Sequence, residues 1–145
     1  MVQSVRNMNI IRKMGLVYAA MFIFVVALGY IPGFTGADGQ LLGLFVIELR
    51  DDILHLASGI WALLAALHST RATVFYFKAF GIVYFLDGLV GVITGYGYLD
   101  GGIFFAFHPP PDLLVRIAAN IPHLAIGGLA IFIGFVISRR QIDNE

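Results

Sequence analysis

Asp52-Ile53-Leu54-His55-Leu56-Ala57-Ser58-Gly59 returns 68 residues later as Asn120-Ile121-Pro122-His123-Leu124-Ala125-Ile126-Gly127. Working outward from it, Gly15-Leu16-Val17-Tyr18 and Gly29-Tyr30 return 66 residues later as Gly81-Ile82-Val83-Tyr84 and Gly95-Tyr96, and Arg71 lands on Arg139. Stretches that match in the same order at nearly one offset do not arise from apolar composition, so they predict a duplicated unit of about 67 residues. The two copies cover about 10–71 and 76–139 within a single membrane domain, residues 1–145.

The 145 residues are 59% hydrophobic and 12% charged, whereas a soluble domain is about a quarter charged. A soluble fold of this size has too little interior to hide so much apolar surface. Nine basic residues balance nine acidic ones, which leaves no net field to attract nucleic acid. With no cysteine, disulfide frameworks, thiolate nucleophiles and iron–sulfur ligation are excluded.

Four stretches, 14–31, 53–69, 79–98 and 117–138, approach the roughly 20 apolar residues that a helix needs to cross hydrocarbon. Arg12 and Lys13 give the first the look of a signal peptide, but its counterpart in the second copy is internal, so it is expected to stay in the mature chain. Seven basic residues, Arg6, Arg12, Lys13, Arg71, Lys78, Arg139 and Arg140, fall on one side of these spans; Arg50 and Arg116 fall on the other. The positive-inside bias then predicts an all-α, four-helix transmembrane bundle of two tandem helical hairpins, with N and C termini cytoplasmic and 70–78 as a short inner connection. A bacterial inner membrane suits that pattern.

The outer connections are expected to end and start helices at Pro32-Gly33 and Asp112. Each also carries a short apolar patch, 41–47 and 103–107, that can dip into the headgroup region or meet a partner subunit. Small residues recur at helix-packing spacing: Ser58, Ala62 and Ala66; Gly91 and Gly95; Ala130 and Gly134. A Glu48–Arg116 ion pair across the two copies is also expected, at little energetic value.

His55 and His123 are the leading chemical candidates. Asp52 or Asn120 stands three residues before each, and Gly59 or Gly127 four residues after, which places each set on one helical face. A carboxylate or amide one turn away can orient an imidazole for ligation. A glycine one turn on can leave room for a flat ring, so the two histidines can serve as axial ligands of a haem or another porphyrin. The alternative is interhelical hydrogen-bond glue. A zinc or di-iron site lacks its further ligands, and no metal site is expected. Asp87 breaks the repeat, since its counterpart is Met21. Asp87 is expected to hydrogen-bond to a neighbouring helix, or to belong to a proton relay with His123. His68, His108 and Trp61 read as a capping or solvated group, a loop residue and apolar bulk.

The Asp52/Asn120-x-x-His-Leu-x-x-Gly elements resemble an uncharacterised bacterial family of small four-helix integral membrane proteins, over about residues 10–140. That resemblance implies an integral membrane protein and transfers no activity. The functional expectations are, first, a non-enzymatic membrane subunit or scaffold that packs with lipid, other subunits or itself. Second is a porphyrin protein for electron transfer or pigment binding. Third is proton or ion conduction through Asp87.

Overall fold

The computed structural model describes residues 8–36, 40–41, 45–46, 49–106 and 109–139. Helix α1 spans Ile10–Gly29, α2 Leu49–His68, α3 Thr70–Thr94, α4 Gly102–Phe105 and α5 Leu113–Phe132. A π-helical turn, Ile133–Ile137, continues α5. Two-residue strands, β1 at Gln40–Leu41 and β2 at Phe45–Val46, pair antiparallel between α1 and α2.

The protein is thus largely all-α, but the expected four-helix transmembrane bundle does not stand. The described residues form five helices, of which three, α1, α3 and α5 with its π turn, are long and apolar enough to cross a membrane. α2 falls short because its first turn carries Arg50, Asp51 and Asp52 and its body carries His55, Ser58 and His68. A span that starts at 53 leaves out this charged turn, which is continuous with the helix. With three such helices instead of four, two equivalent transmembrane hairpins are not formed, and the placing of both termini in the cytoplasm loses its basis.

The 70–78 connection is also corrected, because it is the first part of α3. Ser69 is the whole link: its hydroxyl accepts the Ala72 N–H at 3.1 Å, which satisfies one of the unpaired donors of a new helix. Arg71 and Lys78 suggested a loop, yet Val74, Tyr76 and Phe77 between them are buried, and the Lys78 ammonium lies 5.0 Å from the centre of the Phe135 ring. At the start of α1, the Asn9 side chain accepts the Arg12 N–H at 3.0 Å and donates to Thr70 Oγ1 at 2.7 Å. Arg12 in turn donates to the carbonyls of Ala66 and Leu67, closing the last turn of α2. One end of the molecule is therefore basic and well tied.

α1 packs on α2, α3 on α5, and α3 contacts both α1 and α2. An aromatic core fills the centre: Tyr18 and Phe22 from α1 meet Tyr76, Phe77, Phe80 and Tyr84 from α3. Tyr76, Phe80 and Tyr84 follow at i, i+4 and i+8 and stack, with ring centres 5.1 and 4.7 Å apart. The outward faces carry large exposed apolar side chains such as Val17, Phe24, Phe75, Ile93 and Leu114, a surface that suits lipid.

Small residues set how closely the helices approach. A Cβ on Gly81 would lie 2.7 Å from the Ile131 nitrogen, and one on Gly127 only 2.5 Å from the Phe85 nitrogen, so α3 and α5 touch backbone to backbone. The expected stripe of Ser58, Ala62 and Ala66 is buried as read. Gly15, not in that reading, meets Ala66 and Thr73. Gly95 does not belong to a stripe: it ends α3 in the left-handed region at φ 88°, where glycine is favoured.

Candidate functional site

His55 and His123 converge on one side chain, Tyr84. The Tyr84 hydroxyl and His55 Nε2 are 3.2 Å apart. The Tyr84 ring stacks on the His123 ring with centres 4.6 Å apart and planes 26° off parallel. Phe22 stacks on the other imidazole, 5.8 Å from His55, and meets Tyr84 edge-on at 5.7 Å. Helices α1, α2, α3 and α5 each contribute one ring to this cluster.

The residues chosen to support the histidines do other work. Asp52 Oδ2 accepts the Tyr30 phenol at 2.7 Å, pinning the end of α1 to the start of α2. That bond and the nearby charge raise the Tyr30 phenol above its ordinary range. Asn120 donates to the Arg116 carbonyl of its own helix at 2.9 Å and covers Gly91. Gly59 and Gly127 do not face a vacant slot: a Cβ on Gly59 would meet Phe22 Cβ at 3.1 Å, and Gly127 sits on the backbone at Phe85. A flat macrocycle between the two imidazoles has no place while Tyr84 fills that space, so these residues do not fit axial ligation of a porphyrin. Among the described residues no group of three or more His, Cys, Asp or Glu is arranged to hold a metal ion.

Asp87 is buried, at 4% exposure, seven residues before the last residue of α3. At 1.5 Å per residue that is about 10 Å below the helix end. The segment after Gly95 turns back down this distance, and the N–H groups of Tyr98 and Leu99 donate to Asp87 Oδ1 at 2.7 and 2.9 Å. Tyr98 also donates its hydroxyl to the Val83 carbonyl at 2.6 Å. Burial, and behind it the Asp87 charge, raises the Tyr98 phenol. The other carboxylate oxygen, Oδ2, stands 3.7 Å from His123 Nε2, an ion-pair distance beyond hydrogen-bond reach. The partner that Asp87 requires is therefore a folded-back loop more than a neighbouring helix.

Spacing and composition do not mark Tyr84 or the 95–101 loop as site residues. One signal for Tyr84 is that Gly81-Ile82-Val83-Tyr84 matches Gly15-Leu16-Val17-Tyr18. Its counterpart Tyr18 likewise reaches across, donating to the Ile126 carbonyl of α5 at 2.9 Å. Nothing in the spacing marked the loop, whose polar groups are backbone amides. His108 and Glu48 lie outside the described residues, so the Glu48–Arg116 pair does too; Arg116 itself donates to the carbonyls of Pro111 and Ile93. Comparison with protein-family models, curated proteins and solved structures finds no match.

Proposed function

We propose that the chain is a non-enzymatic integral membrane protein that acts by packing, as a subunit or scaffold of a larger membrane assembly or of a homo-oligomer. The observation that carries this reading is that His55, Tyr84 and Asp87 are each bonded to a neighbouring element and His123 is held by stacking, its Nδ1 buried without a hydrogen-bond partner. His55 engages Tyr84, Tyr84 lies on His123, and Asp87 holds the Tyr98 and Leu99 amides. Each contact joins two elements, which is the use that polar side chains most often serve between helices in lipid. On the side of Tyr84 toward the basic end, the core continues as the stacked rings of Phe80 and Tyr76, which argues against a hydrated path for protons or ions. The basic end, with Arg12, Arg71 and Arg139, suits the anionic headgroups of a bacterial inner membrane.

The test is the mass of the protein extracted in mild detergent, measured by light scattering with the detergent contribution removed. An oligomer or a co-purifying membrane partner is expected. A lone monomer with no partner would count heavily against the proposal. An absorption spectrum of the same sample, before and after hemin titration, checks the porphyrin alternative; a Soret band that shifts with one equivalent of hemin would revive it.

A further inference from the structure

A cavity of about 260 Å³, open on one side, lies between α2 and α3. Ala57, Trp61 and Val83 form its exposed rim, and Ser58, Phe80 and Tyr84 its buried floor. Leu99 closes one wall, and it is there because the loop that bears it is folded back onto Asp87.

We propose that this slot holds one acyl chain of a bilayer lipid. Three observations support that occupant. The slot opens beside Val83, in the middle of a helix long and apolar enough to cross a membrane, so what reaches its mouth is hydrocarbon. Its lining is almost wholly apolar, and the phenol at its floor is already engaged with His55, so a polar headgroup would lose hydrogen bonds on entry. Its volume lies below the roughly 300–1,000 Å³ of sites that enclose drug-sized ligands, which suits a stretch of a single chain better than a bulky ring system. The site is independent of the packing role proposed above: it can be filled in a monomer or in an assembly.

Trp61 is the single tryptophan of the chain and stands on the rim, so its emission reports the occupant. The full-length protein is reconstituted in phosphatidylcholine vesicles containing a rising fraction of the same lipid with brominated chains, which quench tryptophan on contact. A reference variant, Trp61→Phe with Leu64→Trp, places the fluorophore on the exposed outer face of α2 and reports ordinary surrounding lipid. Quenching of Trp61 should exceed that of the reference at every low bromolipid fraction. Ala57→Leu fills the mouth from an exposed position, so folding is spared, and it should abolish the excess. Equal quenching in wild type and reference, or an excess that survives Ala57→Leu, would overturn the proposal. So would excess quenching by free brominated fatty acid but not by the phospholipid, which would assign the slot to a soluble ligand.

Discussion

Gly127 and Gly128 are adjacent, yet alanine at the two positions should shift stability in opposite directions. A Cβ at Gly127 would stand 2.5, 2.8 and 2.9 Å from the nitrogen, Cα and Cβ of Phe85. Backbone cannot swing aside, so α3 and α5 must separate. Overpacking of this kind costs about 1–3 kcal/mol, and rigid contacts on all three atoms put it near 3. Removing a helical glycine returns about 1 kcal/mol, which leaves a net loss of about 2 kcal/mol. At Gly128 the nearest atoms are Phe85 ring carbons at 3.7 and 3.8 Å, ordinary contact distances. There the helix term acts without opposition, and Gly128→Ala should stabilise by about 0.5–1 kcal/mol. The assay is reversible unfolding in mixed micelles with rising sodium dodecyl sulfate, followed by circular dichroism. If both variants move the midpoint in the same direction by the same amount, the close backbone approach of α3 and α5 is wrong.

Tyr84→Phe and His55→Ala should each destabilise, and a double-mutant cycle in the same assay should return a coupling of about 0.6 kcal/mol, the mean for interhelical hydrogen bonds in membranes, and at most about 1.7; additivity would mean that the two groups do not interact. Asp87→Ala should expose the Tyr98 and Leu99 amides to rapid hydrogen exchange, while Asp87→Asn, which keeps an acceptor oxygen, should preserve much of their protection. Unchanged protection in Asp87→Ala would remove the carboxylate as the loop's anchor. Because the Tyr98 phenol is raised in the folded protein, its protonated form is the one that folding favours. Its contribution is full below the ordinary phenol value of about 10 and fades as pH climbs through the raised value. Tyr98→Phe should therefore weaken the alkaline loss of loop protection, and an identical pH profile would refute that assignment.

Much of the helical content was legible, because apolar runs and cap residues act locally. Pro32-Gly33 does lie just past α1, and Asp112 does precede α5, although its side chain makes no capping hydrogen bond. The errors arose where a side chain's meaning depends on distant packing. Basic Arg71 and Lys78 suggested a connection, although burial of Val74, Tyr76 and Phe77 keeps that stretch helical. The charged first turn of α2 reads as lying outside a span, yet it is continuous with the helix. At the site, periodicity could place His55 and His123 on helix faces and could flag Asp87 as costly in lipid. It could not show that Tyr84 enters between the histidines, since that depends on how closely glycine lets α3 and α5 approach. Nor could it show that Asp87 would be answered by amides, because every residue carries one and none is marked by its letter.

The arrangement at Asp87 bears on the order in which the protein can be made. The Tyr98 amide lies 11 residues after the carboxylate it satisfies, so during synthesis α3 leaves the ribosome before its partner does. Until the next stretch has emerged and turned back, the carboxylate has no donor from it, and entry of α3 into hydrocarbon is opposed by that solvation cost. Lateral release of this helix from the insertion machinery is thereby tied to residues that are not part of it. A chain truncated just after Thr94 should stall there, although the helix itself would be complete.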